Sequence, residues 1–177
     1  DIDREVIELS TDGSVKFNLK TKNAELFPSD NPYMTEEFER VLDSFTPKYL
    51  KIITSANYIE NISEIRIEGH TDTIPPQKSK RRESYDYNLE LSSNRARSVL
   101  NYVRKHDSYL SYPDSIRKRL DFLFTANGLS YSRVLNNNKE ISYTSNDNSV
   151  NNDLSRRVEF KIVTSNEQLV ESIIKKD

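Results

Sequence analysis

The chain contains no cysteine, which excludes a disulfide framework, a thiolate metal site and a thiolate nucleophile. Its three glycines, Gly13, Gly69 and Gly128, can hardly supply a phosphate-cradling loop or a dinucleotide fingerprint, and there is no Gly-x-Ser-x-Gly elbow. No run approaches the roughly 18 apolar residues of a membrane span, and no charged-then-apolar secretion signal opens the sequence. Either the protein is soluble or its anchor lies outside these 177 residues. An excess of one charge is missing too: 26 Lys and Arg oppose 28 Asp and Glu, a net of -2, which disfavours nucleic acid as a partner.

What is present suffices for one domain with insertions. A chain of 177 residues buries roughly two thirds of its unfolded surface on folding, and 34% of these residues are hydrophobic. The single domain is expected over residues 1–177, with its core at about 15–163, exposed loops at 73–86 and 136–152, and a tail from 164 to 177. Val15, Phe17 and Leu19 alternate with polar residues after Asp12-Gly13, which predicts an opening hairpin. From an N-cap at Thr35, the residues Phe38, Val41, Leu42, Phe45 and Tyr49 recur at helical spacing, behind Glu36 and Glu37 in the first turn. Pro47 either interrupts this helix or begins a second one carrying Leu50, Ile52 and Ile53. Ile65 and Ile67 alternate with Arg66 and Glu68 in a strand that stops at Gly69.

Pro75-Pro76 and the basic run Lys78, Lys80, Arg81, Arg82 lack periodicity, so Thr73 to Asp86 reads as a mobile solvated loop. From Asn88, a helical stripe of Leu89, Ala96, Val99, Leu100 and Val103 runs beside a polar line of Asn88, Ser92 and Arg95, at the border of the buried face. Asp114 or Ser115 caps an inserted helix through Ile116, Leu120 and Leu123, with Lys118 and Arg119 facing out. Phe122, Phe124 and a turn at Asn127-Gly128 lead into a segment of undecided structure. The Asn- and Ser-rich stretch from Asn136 to Asn152 reads as too polar to pack. Val158, Phe160 and Ile162 alternate in a final strand, with Arg156 at its start. Strands interleaved with helices predict an α/β (α+β) layer fold, a mixed sheet covered by helices.

The chemistry concentrates at Gly69-His70-Thr71-Asp72, which follows the predicted strand, and at Arg95 on the next helix. One acid and one arginine suit a ligand that carries both an ammonium and a carboxylate, although such pairs also serve as plain structural ion pairs. His70 has only His106 as a fellow histidine and no His-x-x-x-His spacing, so it reads as structural and no metal is assigned. Glu68 and Asp72 as an acid/base couple would lie about 13 Å apart along an extended strand, which makes glycan hydrolysis a weak reading. Tyr85, Tyr87, Tyr131 and Tyr143 offer faces for stacking on sugars, but packing is the commoner use of tyrosine.

Three motifs in order carry a family resemblance: Ile67-Glu68-Gly69-His70-Thr71-Asp72, then Tyr87-Asn88-x-x-Leu91-Ser92-x-x-Arg95-Ala96-x-x-Val99, then Ser155-Arg156-Arg157-Val158. From about Val15 to Val163 the chain resembles the OmpA-like peptidoglycan-binding domain, whose last motif is usually Asn-Arg-Arg-Val. Thr-Asp followed by Pro-Pro, a long loop and Asn88-Leu89-Glu90-Leu91-Ser92 is closer to the MotB-type stator branch, and the inserted helix also resembles stator-like subunits of anti-phage systems. The resemblance implies a βαβαβ(α)β core that is noncatalytic and uses no cofactor. It implies that Asp72 and Arg95 hold the diaminopimelate of a peptidoglycan stem peptide, while Thr71, Asn88 and Arg156 line or orient the same pocket. Chemically, Asp72 would accept from the ammonium and Arg95 would grip the carboxylate with a fork that lysine lacks. Asn88 is expected near the helix start, as a cap or a direct ligand. The branch further implies a periplasmic domain, an inner-membrane stator partner reached through a segment outside this sequence, and a homodimer. The alternative is the wall-binding tail of an outer-membrane lipoprotein or outer-membrane protein. Ser155 in place of Asn, the insertion from Tyr109 to Leu120 and the Asn-rich loop depart from the family pattern.

Overall fold

The computed structural model describes residues 6–10, 14–18, 25–74 and 81–164. Period-two alternation yields five strands: β1 (Ile7–Leu9), β2 (Val15–Phe17), β3 (Ile62–His70), β4 (Phe124–Gly128) and β5 (Arg157–Thr164). They form one sheet in the order β1-β2-β5-β3-β4. All neighbours are antiparallel except β3 and β4, whose parallel pairing requires the helical crossover that the intervening chain supplies. The expected opening pair is present as β1 and β2, whereas Asp12-Gly13 and Leu19 lie outside the described residues. β3 runs one residue past Gly69, to His70. The Asn127-Gly128 pair is not a turn: it ends β4, in register with Glu68 and Gly69.

The helices bounded among the described residues are α1 (Glu36–Ile53), α2 (Arg81–Lys105), α3 (Asp107–Leu110), α4 (Asp114–Leu123) and α5 (Asn152–Ser155). Thr35 caps α1 as expected, its hydroxyl accepting from the Phe38 amide. Pro47 neither interrupts nor starts a helix, because α1 passes through it. A proline ring costs one helical hydrogen bond, but burial of Tyr49, Leu50 and Ile53 beyond it outweighs that loss. α4 takes Pro113 as its N-cap residue with no side-chain bond, so neither Asp114 nor Ser115 caps it. Lys118 is exposed, but Arg119 is half-buried and reaches the carbonyls of Ile59 and Ile62.

Phe17, Ile65, Ile67, Val158 and Phe160 on one face of the sheet meet Phe38, Leu42, Leu50 and Ile53 of α1, Ala96, Val99 and Val103 of α2, and Leu120 and Leu123 of α4 in one core. Around Phe17 the rings of Phe38, Phe45 and Phe160 pack at centroid distances of 5.7, 4.9 and 5.4 Å. Leu89, expected in the apolar stripe of α2, is exposed, and Leu91 is buried instead.

Of the two segments read as loops, 73–86 is partly helical, and 136–152 stays largely exposed and irregular but packs. α2 begins at Arg81, so residues 81–86 are helical; residues 75–80 lie outside the described residues. Among the described side chains at its start, Ser84 is buried, whereas Tyr85 and Asp86 are exposed. The Asn-rich stretch 136–152 packs through polar contacts. Asn136 is fully buried: its Oδ1 accepts from the amides of Asn138 and Glu140, and its Nδ2 donates to Glu140, Ser145 and the Asp147 carbonyl. A loop can be ordered without hydrophobes when a buried amide satisfies this many partners.

Candidate functional site

The site forms where β3 ends, where β5 begins, and along one line of α2. Gly69 and Gly128 let α2 lie directly on the ends of β3 and β4, because a Cβ at Gly69 would overlap the Ser92 carbonyl and one at Gly128 the Ser93 backbone. The polar line then faces inward: Ser84, Asn88, Ser92 and Arg95 are all buried. Ser92 Oγ accepts from the Ser130 amide at 3.0 Å, Ser130 Oγ donates to the Tyr85 carbonyl at 3.0 Å, and the Ser130 carbonyl accepts from the Thr71 amide at 2.9 Å. Ser130, buried at a positive φ of 50°, thereby fastens the Thr71-Asp72 turn to α2.

Asp72 is buried, and each carboxylate oxygen has an assigned partner. Oδ1 accepts from the Ile74 amide at 2.9 Å, and Oδ2 accepts from Arg156 Nη1 at 2.6 Å. Arg156 also bonds Asp153. The pull of Asp72, joined by Asp153 and Glu25, pushes the Arg156 guanidinium above its ordinary value although burial works the other way. Thr71 Oγ1 is buried without a hydrogen-bond partner among the described residues, directly beside Asp72.

Arg95 is placed by a loop that the sequence did not single out. Nε donates to the Asn31 carbonyl at 3.0 Å, Nη2 donates to the Pro28 carbonyl at 3.1 Å, and the guanidinium lies 5.0 Å from the Phe27 ring centroid. Burial lowers the Arg95 pKa, and the charges of Asp30 and Asp72 oppose that shift. Asp30, at a φ of 52°, lies near Tyr87 as well; burial and this carboxylate push the phenol up.

Of the five expected site residues, Asp72 and Arg156 form an ion pair, Thr71 adjoins them, and Arg95 stands within electrostatic reach of Asp72. Asn88 is not near the helix start. It sits about two turns inside α2 and donates to the Ser84 carbonyl at 2.9 Å, so it does not act as a cap. Residues 27–31 and Ser130 were missed. A loop 64 residues before Arg95 in sequence leaves no periodic signal to link the two.

On the opposite face of the sheet, Glu68, His70 and Glu159 are buried together, with Arg157 Nε donating to Glu159 Oε1 at 2.6 Å. Burial, reinforced by the Arg157 charge, holds the His70 imidazole below its ordinary pKa against the pull of the two glutamates.

The OmpA family model matches residues 26–152, which span the Arg95-binding loop, the Asp72 turn and all of α2. The chain belongs to the OmpA family. Within it, the chain is 32% identical over 149 residues to the Zorya protein ZorB of Escherichia coli, an alignment covering 84% of this chain. The chain spans only 57% of that relative's length. The same fold occurs in a MotB-like protein from Desulfovibrio vulgaris, at a TM-score of 0.56 and 23% identity, over 90% of this chain and 82% of that one. It recurs in the cell wall anchor of the T6SS from Pseudomonas aeruginosa, at a TM-score of 0.52 and 19% identity, over 93% of this chain and 92% of that one. The periplasmic domain of Helicobacter pylori MotB matches at a TM-score of 0.53 and 18% identity, over 99% of this chain and 92% of that one. The OmpA-like α+β architecture expected from the motifs is therefore the fold of this chain.

Proposed function

We propose that this OmpA-family domain is a noncatalytic wall anchor that binds peptidoglycan through the diaminopimelate of the stem peptide. The observation that carries the reading is that two buried, opposite charges, Asp72 and Arg95, stand within electrostatic reach of each other, each immobilised by its own partners. Both keep spare capacity. A carboxylate has about four lone-pair sites and a guanidinium five donors, of which the bonds above use only part. The ligand ammonium would take the free lone pairs of Asp72, and its carboxylate the outward edge of Arg95. Arg156, 41% exposed in its side chain, would swing from Asp72 toward the same carboxylate, and Thr71 Oγ1 would gain the partner it lacks. Asn88 would hold the floor of the pocket. Asp72 is engaged by Arg156 and the Ile74 amide, and Glu68 is buried on the opposite face of the sheet, which supports binding over glycan cleavage.

The ZorB relative and the named wall anchor support a role in holding a membrane or stator-like complex to the wall. The domain would then act in the periplasm, as part of a homodimer, tied to an inner-membrane partner through a segment outside these residues. No helix among the described residues is long and apolar enough to cross a membrane.

Co-sedimentation with diaminopimelate-type sacculi tests the clamp. A charge-assisted bond contributes about 1.5 to 3 kcal/mol, so folded Asp72→Ala and Arg95→Ala variants should each bind at least tenfold more weakly than wild type. Wild type that stays in solution, or variants that pellet equally well, would sink the reading.

A further inference from the structure

Glu68 and His70 stand two residues apart on the face of β3 turned away from the helices, and Glu159 of β5 is the cross-strand partner of Glu68. His70 Nε2 lies 3.7 Å from Glu68 Oε2 and 3.8 Å from Glu159 Oε1. One ligand atom from each of the three side chains falls within 4.8 Å of the other two. The imidazole-to-carboxylate gaps are too long for hydrogen bonds, and neither ring nitrogen has a hydrogen-bond partner among the described residues. A buried imidazole with both nitrogens unsatisfied is costly, and this one is aimed between two carboxylates.

We propose that Glu68, His70 and Glu159 form a site for a divalent transition cation of the zinc type. One imidazole nitrogen and two carboxylate oxygens are a ligand set that zinc accepts, with a fourth position left for water. Bonds of about 2.0 to 2.2 Å in tetrahedral geometry place ligands about 3.4 Å apart, so both imidazole-to-carboxylate gaps need close by only a few tenths of an ångström. Arg157 orients Glu159 Oε1 from outside the ligand set while leaving that oxygen a second lone pair. Arg66 and Lys161 also act on Glu68. A divalent ion would relieve the repulsion of two like charges directly opposite each other in the sheet. Calcium and magnesium fit poorly, because both prefer oxygen ligands to imidazole. The ion would staple β3 to β5 beneath the turn that bears Asp72 and beside Arg156, bracing the wall site from the far face of the sheet.

Because the cluster is buried, the test loads metal during folding. The chain is unfolded with a chelator, refolded with zinc chloride or magnesium chloride, desalted, and assayed for metal content and melting temperature. The expected result is one zinc per chain and a raised melting temperature, with no retained magnesium. Folded His70→Gln and Glu159→Gln should lose tenfold or more in zinc affinity. His106→Ala should keep zinc, since His106 with Asp43 is the other histidine–carboxylate pair. Wild type that folds without stoichiometric zinc, or a folded His70→Gln that retains it equally, overturns the site. Should the variants not fold, cobalt in wild type decides. Intense tetrahedral visible absorption supports the site, and the weak spectrum of octahedral cobalt overturns it.

Discussion

Arg95, the carboxylate grip of the proposed site, is oriented by its own surroundings. Its guanidinium is held over Phe27 and by two carbonyls of the preceding loop, so on the proposed reading its orientation is set before a carboxylate arrives. Lysine would keep the charge without the planar fork. Arg95→Lys is therefore expected to weaken sacculus binding by at least tenfold and to lower the denaturant midpoint, since the Pro28 and Asn31 carbonyls lose their donors. An unchanged binding curve would mean that charge alone is read at this position. Ser130 has a comparable role on the opposite side of the turn, where its hydroxyl and amide donate to α2 and its carbonyl accepts from Thr71.

Between elements, the decisive contact is the approach of α2 to the ends of β3 and β4. Gly69 leaves room for the Ser92 carbonyl, and a methyl group there has no flexible side chain to push aside. Gly69→Ala should cost about 1 to 3 kcal/mol, seen as a lower urea midpoint at unchanged slope, and should weaken wall binding by displacing Arg95. Pro47 predicts the opposite direction. It occupies the interior of α1, where proline is about 3 kcal/mol less favourable than alanine in an ordinary helix. Because α1 already accommodates the ring, Pro47→Ala should stabilise the domain by on the order of 1 kcal/mol, measurable as a raised midpoint. A loss of stability would reveal that the local bend of α1 is needed to seat Tyr49 and Leu50 on the sheet.

For the molecule as a whole, pH dependence follows from carboxylates that bridge strands. Glu64 of β3 accepts from Thr125 Oγ1 of β4 at 2.6 Å; this bond, helped by Arg66, holds its carboxyl below the usual range against the cost of burial. A depressed folded pKa means that the unfolded chain binds more protons across the interval between the two values. The resulting stability is present above the unfolded pKa and is lost as pH falls through the folded one. Thr125→Val should therefore lower the melting temperature at neutral pH, with the difference from wild type shrinking toward zero in acid. A difference that stays constant with pH would assign the effect to packing.

Much of this was legible in the amino-acid order. Period-two and helical spacing placed β2, β3, β5, α1 and most of α2, because residues on one face of an element must meet one core. The motifs around Asp72, Arg95 and Arg156 marked the proposed site, and the order of the three motifs carried the family. Tertiary structure decided the rest. The continuity of α1 through Pro47 comes from core burial beyond the ring, and the order of residues 136–152 from the bonds of one buried asparagine. Neither effect has a local sequence pattern. The loop carbonyls that hold Arg95, and the meeting of Glu68 and His70 with Glu159, join residues separated by more than 60 positions. Sequence spacing reports which side chains share a face of one element; only the packing of elements decides which faces meet.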